Sequence, residues 1–177
     1  MGRLVTVSEA QGVRERLRRQ AKTVVFTNGI FDLLHVGHVH YLQAARELGH
    51  ALFVGLNSDS STRKLKGPGR PLIPQGERAQ VLCALACVDY VVIFDEPTAE
   101  HLVERLRPDV YAKGGDYADV ARTGQAGAAQ ETRKPLPEAR VVERYGGHVV
   151  LLPYTIGHST TQIMQRILNE GEPNLGG

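Results

Sequence analysis

Apolar residues along the chain fall into short continuous runs separated by stretches with helical spacing. The run Thr23-Val24-Val25-Phe26-Thr27 reads as a first strand. From Val39 to Leu48 the apolar positions Leu42, Ala45 and Leu48 share one side, which predicts a helix that Gly49 ends. Ala51–Leu56 predicts a second strand, Glu77–Cys87 a helix and Tyr90–Phe94 a third strand. Thr98–Leu106 predicts a helix capped by Thr98, and Val110–Ala112 and Val149–Leu152 two further strands. Thr160–Leu168 predicts the closing helix, and Ser8–Arg19 a helix outside the sheet. Runs that are apolar at every position suit strands covered on both faces. Strands separated by helices then imply right-handed crossovers and a doubly wound parallel sheet.

Ligands of such sheets bind at the carboxyl ends of the strands. The polar and glycine-rich segments lie there: Asn28-Gly29, Asn57-Ser58-Asp59 and Lys113-Gly114-Gly115-Asp116. Two longer stretches carry no clear period. Ser60–Gly76 is rich in Lys, Arg, Gly and Pro, and Ala118–Pro137 in polar and small residues. Loops of this length in a compact domain are commonly functional. We expect one domain over residues 1–169, an inserted loop at 118–137 and a flexible tail at 170–177.

Length and composition narrow the class. A chain of 177 residues can bury a real core, and 42% hydrophobic with 23% charged residues is ordinary for a globular protein. A net charge of +2 gives no argument for nucleic acid or a membrane surface as partner. No apolar stretch approaches the roughly 20 residues of a membrane span. The N-terminus lacks the apolar core of a secretory signal, and its match to the myristoylation pattern at Gly2 and Thr6 is discounted as chance. A cytoplasmic location is the default expectation. Cys83 and Cys87 lack a redox or zinc spacing and read as buried free thiols on one helical face.

Candidate chemistry concentrates between the first strand and the first helix, in Gly29-Ile30-Phe31-Asp32-Leu33-Leu34-His35-Val36-Gly37-His38. Glycines let backbone amides approach an anion, and a helix N-terminus adds oriented N–H groups and partial positive charge. Histidines three apart there point to one side. The result is a phosphate cradle with two imidazoles. Metal binding by His35, His38 and His40 is the alternative. His40 would face elsewhere on a helix, and no fourth ligand beside Asp32 is evident.

The decapeptide resembles the signature of the HxGH nucleotidyltransferases. His35-Val36-Gly37-His38 matches the motif and Gly29–Asp32 the element before it. Ser159-Thr160-Thr161 resembles the Ser-Thr-Thr element of the cytidylyltransferase-like branch. Thr27-Asn28-Gly29, Leu65–Pro71, Lys113–Tyr117 and Tyr145-Gly146-Gly147 follow in an order similar to the stand-alone bacterial adenylyltransferases of D-glycero-β-D-manno-heptose 1-phosphate. The resemblance spans residues 4–168. It implies a Rossmann-like three-layer α/β sandwich around a central, mainly parallel five-stranded sheet.

It also implies a reaction, in which AMP passes from ATP to a heptose 1-phosphate to give ADP-heptose and pyrophosphate. His35, His38 and Lys66 would be catalytic. Asn28, Gly29, Ile30, Phe31, Asp32, Gly37, Lys113, Gly114, Asp116, Ser159, Thr160 and Thr161 would bind nucleotide or phosphate, with Arg78 as a further phosphate ligand. Mg²⁺ would arrive with ATP rather than in a protein cage, and the protein would be a homodimer. Ile30 stands where family members commonly carry Cys, and Pro153-Tyr154-Thr155 lacks the Arg of the cytidylyl relatives. A glycerol 3-phosphate cytidylyltransferase and a non-catalytic nucleotide-binding regulator stay open as alternatives. The missing GxGxxG after the first strand argues against a dinucleotide-binding dehydrogenase, and the missing GxxxxGK[ST] excludes a P-loop NTPase.

Overall fold

A computed structural model of the chain describes residues 1–114, 136–153 and 160–170. Its elements run β1 (Arg3–Leu4), α1 (Val7–Arg19), β2 (Val24–Gly29), α2 (Val36–Glu47), β3 (Ala51–Asn57), α3 (Asp59–Lys66), α4 (Gln75–Ala84), β4 (Tyr90–Phe94), α5 (Glu100–Leu106), β5 (Val110–Gly114), α6 (Pro137–Arg144), β6 (His148–Leu152) and α7 (Thr160–Glu170). The strands form one sheet in the order β1-β4-β3-β2-β5-β6 with every pair parallel. No helix among the described residues is long and apolar enough to cross a membrane.

The runs Val24–Phe26 and Ala51–Val54 are apolar at every position because successive side chains enter different layers. Val24, Phe26 and Phe53 face the layer of α1, α5 and α6, with Leu102, Leu106 and Val142. Val25, Leu52 and Val54 face the layer of α2 and α4, with Leu42, Ala45 and Leu82.

Several sequence expectations change. The sheet has six strands, because Arg3–Leu4 pairs with Tyr90–Val91 at its edge. The stretch Ser60–Gly76 is not irregular throughout. Ser58 caps α3, its hydroxyl accepting from the Ser61 amide at 3.1 Å. Helix α5 starts at Glu100 rather than Thr98. The Ala99 amide donates to Glu138 of α6, a helix the sequence did not announce, while the Thr98 hydroxyl donates to Glu100. Cys83 is buried in α4, but that helix stops at Ala84, so the half-buried Cys87 lies beyond it. Burial raises both thiols above the usual range. The expected tail beyond Glu170, which ends α7, and nearly all of the expected insertion lie outside the described residues.

Candidate active site at the sheet's switch point

The strand order reverses between β2 and β5. β3 and β4 follow on one side of β2, whereas β5 returns to its other side. β2 pairs with β3 over six positions but with β5 over two, Val25↔Val110 and Phe26↔Tyr111. Beyond Phe26, β2 and β5 have no paired positions, and room opens at their carboxyl ends. A pocket of about 130 Å³ occupies this place. At ~30 Å³ per water it holds about four waters, a phosphate-sized space.

β2 contributes Asn28 and Gly29 to the pocket, the following turn Ile30 and Phe31, α2 Gly37 and His38, and β5 Lys113 and Gly114. All eight are residues singled out from the sequence. The ninth, Tyr41, is not. It follows His38 by three positions on α2, a spacing that puts both on one face. The Tyr41 hydroxyl donates to Ala112 O at 3.0 Å and pairs with the Thr27 hydroxyl at 2.5 Å, bridging the diverging strands. A Cβ at Gly114 would lie 2.9 Å from the Tyr41 ring, so glycine is required for this approach.

Helix α2 begins at Val36, three residues earlier than expected, with His35 as its N-cap in extended geometry (φ −138°, ψ 169°). The first turn of a helix leaves amides without intrahelical partners, as an anion site needs. The His35 and His38 rings lie 3.8 Å apart, and Phe31 meets His38 edge-on at 5.4 Å. Phe31 is buried with φ at 48°, a left-handed conformation that costs a non-glycine residue about 1–2 kcal/mol. That turn carries the chain from β2 towards the helix cap.

The His35 amide donates to Nδ1 of His38 at 3.4 Å, which leaves the His38 proton on Nε2. Burial first, and then the charge of neighbouring His35, hold His38 down to about 4. At neutral pH it is a neutral imidazole with one N–H to offer. Because its folded-state pKa lies below the ordinary 6.5, the unfolded chain takes up a proton here first. His38 therefore lowers stability as pH falls from about 6.5 to about 4. In the nucleotide-free protein we expect an NMR titration midpoint for His38 near 4, moving upward when ATP is added. An unshifted midpoint would contradict this burial.

Across the pocket, Asn28 Oδ1 accepts from the Tyr111 hydroxyl at 2.8 Å and from Lys113 Nζ at 3.2 Å. Its Nδ2 amino group is then the donor Asn28 can offer a ligand. Burial lowers the Lys113 ammonium, with Glu138 opposing, and no described carboxylate forms an ion pair with it. A half-buried cation whose hydrogen-bond acceptors are neutral favours an anion beside it.

Other sequence candidates lie elsewhere. Asp32 is buried, and its carboxylate accepts from the Leu72 and Ile73 amides at 2.8 and 3.0 Å and from Arg70 at 2.6 Å. Burial alone would raise this acid, but those donors hold it below the carboxylate range. It anchors the segment after α3, and both oxygens are taken. Arg70 also reaches Met164 of α7, a contact no sequence pattern indicated.

Arg78 requires a correction. Its side chain is fully buried and spends its donors on Ile73 O, Ile30 O, Asn57 O and Asp59, so it ties loops together and does not face a phosphate. Lys66 is exposed at the end of α3 and is not among the residues lining the pocket. Thr160 sits near the motif turn, its hydroxyl 3.5 Å from Leu33 O. Asp116, Ser159 and the Thr161 side chain lie outside the described residues. No group of three or more His, Cys, Asp or Glu side chains is placed to hold a metal among the described residues.

The chain matches known proteins over most of its length. A family model described as cytidylyltransferase-like matches residues 26–166. The "Bifunctional protein HldE" of Syntrophotalea carbinolica is 54% identical over 160 residues, covering 90% of this chain and 30% of that protein. The protein of the same name from Geobacter sulfurreducens is 52% identical over 157 residues, covering 89% and 29%. The chain thus spans less than a third of the length of these relatives.

Among solved structures, a lipopolysaccharide core biosynthesis protein from Thermoplasma volcanium aligns with a TM-score of 0.54 and 23% identity, covering 76% of this chain and 97% of that one. Pantoate-beta-alanine ligase from Francisella tularensis, solved with beta-gamma ATP and beta-alanine, aligns with a TM-score of 0.57 and 12% identity, covering 100% and 82%. At these identities the likeness is one of fold alone. With the family model matching residues 26–166 and relatives at 54% and 52% identity over most of the chain, the chain belongs to the cytidylyltransferase-like family of nucleotidyltransferases.

Proposed function

We propose that the chain transfers AMP from ATP to D-glycero-D-manno-heptose 1-phosphate, giving ADP-heptose and pyrophosphate. The observation that carries this reading is the switch-point pocket, where His38, Lys113 and the start of α2 converge on a phosphate-sized space. The heptose assignment rests on the ordered motifs from Thr27-Asn28-Gly29 to Tyr145-Gly146-Gly147.

In this mechanism an oxygen of the acceptor phosphate attacks the α-phosphorus of ATP in line. The new P–O bond forms as the bond to the bridging oxygen of pyrophosphate breaks. No protein nucleophile takes part, so positioning and charge stabilisation supply the catalysis. His38 donates from Nε2 to a phosphoryl oxygen, and His35 supports the same α- and β-phosphates. The Lys113 ammonium and the first-turn amides of α2 add positive potential. Lys66 approaches from the end of α3 to neutralise charge near the acceptor, and Ser159, Thr160 and Thr161 hold the triphosphate. Asn28, Ile30, Phe31 and Asp116 contact nucleotide or sugar. Mg²⁺ would come as part of the ATP substrate, since no group of three or more His, Cys, Asp or Glu side chains among the described residues is placed to hold it. The enzyme works in the cytoplasm as a homodimer.

The test is a panel of ATP and CTP, each with heptose 1-phosphate, glucose 1-phosphate and glycerol 3-phosphate, read as pyrophosphate release. ATP with the heptose phosphate should turn over fastest. Preference for CTP and glycerol 3-phosphate would replace this reading with a cytidylyltransferase. ATP binding with no pyrophosphate from any acceptor would replace it with a non-catalytic regulator.

A further inference from the structure

At the opposite end of the strands, by the amino ends of β5 and β6, lies a second cavity of about 730 Å³. Strands of five residues put it roughly 15 Å or more from the phosphate pocket. Its walls come from α1, from the turn between α5 and β5, and from the turn between α6 and β6. Four arginines line it, Arg14, Arg18, Arg105 and Arg107, against two carboxylates, Glu15 and Asp109.

The partners are unevenly shared. Arg18 is held by Glu15 at 2.9 Å and Arg14 by Asp109 at 2.7 Å. The Arg105 guanidinium donates to the Gln11 side-chain oxygen at 2.9 Å, and Arg107 lies 5.0 Å from the centre of the Tyr145 ring. Two of the four cations thus have no ion pair to a described carboxylate. Arg14 is 9% exposed, and its Nη1 is buried with no hydrogen-bond acceptor among the described residues. Both Asp109 oxygens are already used, by Arg14 and by the Val24 amide. The cleft therefore has donors and positive charge in excess and few acceptors to spare. A ligand must bring negative charge and several acceptor oxygens, in a space typical of small-molecule sites. Guanidinium groups match the oxygens of phosphate in pairs.

We propose that this cleft binds a small phosphate-bearing anion, whose oxygens accept from Arg105, Arg107 and Arg14. The full chain is titrated at low ionic strength with inorganic phosphate and with ribose 5-phosphate, following backbone amides by NMR. Saturable shifts at Gly146, Gly147 and His148 are expected. Equal response to both probes identifies free phosphate as sufficient, and a stronger response to ribose 5-phosphate identifies a sugar phosphate; both support the site. The exposed double variant Arg105→Gln/Arg107→Gln should weaken the shifts at least about tenfold while leaving pyrophosphate release unchanged. Ligand entering the phosphate pocket is read separately, at Gly29 and Gly114. No shifts at the cleft amides at millimolar ligand would overturn the proposal. So would shifts that the double variant leaves intact, or a cleft that answers a short DNA duplex and neither small probe.

Discussion

Replacing His38 with alanine should cut pyrophosphate release by at least about a hundredfold, with the denaturation midpoint changed little. Losing one well-placed donor to developing negative charge typically raises a barrier by about 2.7–4 kcal/mol. His38 fits that role because its proton sits on Nε2 while Nδ1 accepts from the helix cap. A charged imidazole is not required, which suits a group held down to about 4. His35→Ala should show a loss of the same order, because its ring packs 3.8 Å from that of His38. Near-normal turnover in both variants would remove the pair from the mechanism, whatever the acceptor.

The second large effect concerns stability. Arg78→Met should destabilise the fold by about 3–5 kcal/mol, the range for breaking a buried, hydrogen-bonded ion pair from one side. The loss has an identifiable source. Three backbone carbonyls, from Ile30, Asn57 and Ile73, would lose their buried donor, and Asp59 its guanidinium partner. Against a typical total of about 5–15 kcal/mol, much of the folded population should survive in the cold. Urea denaturation measures the difference, and a change under about 1 kcal/mol would show that these contacts are dispensable.

The same arginine illustrates what a sequence hides. Arg78 beside Glu77 reads as a solvated helix start with a cation ready for phosphate. Its actual task depends on carbonyls from two loops and the end of β3, which only tertiary structure brings to one point. The strands were legible for the opposite reason. A parallel strand covered on both faces is apolar at every position, so its own sequence announces it. β1 was not, because a two-residue edge strand with exposed side chains leaves no such trace. Helix α3 was obscured by Ser60-Ser61-Thr62, residues that disfavour helix interiors, although Ser58 marks its start. In the pocket, the glycines and histidines carried recognisable chemistry. Tyr41 did not, since a tyrosine on a helix usually means core, and its bridge appears once β2 and β5 are known to diverge.

The double attachment of Asp32 has a mechanical consequence for Lys66. Arg70, Leu72 and Ile73 are tied to this carboxylate, whereas Gly67 and Gly69 adopt positive φ values of 88° and 83° just after Lys66. Lys66 closes α3, and four residues further on the chain is pinned to the turn that carries the histidine motif, so it is held from both sides. At 3.3–3.6 Å per residue its backbone can stray at most about 14 Å from Arg70. Glycines inserted between Gly67 and Gly69 would release only the second of these holds, leaving the end of α3 to place the lysine, and would touch no residue of the pocket.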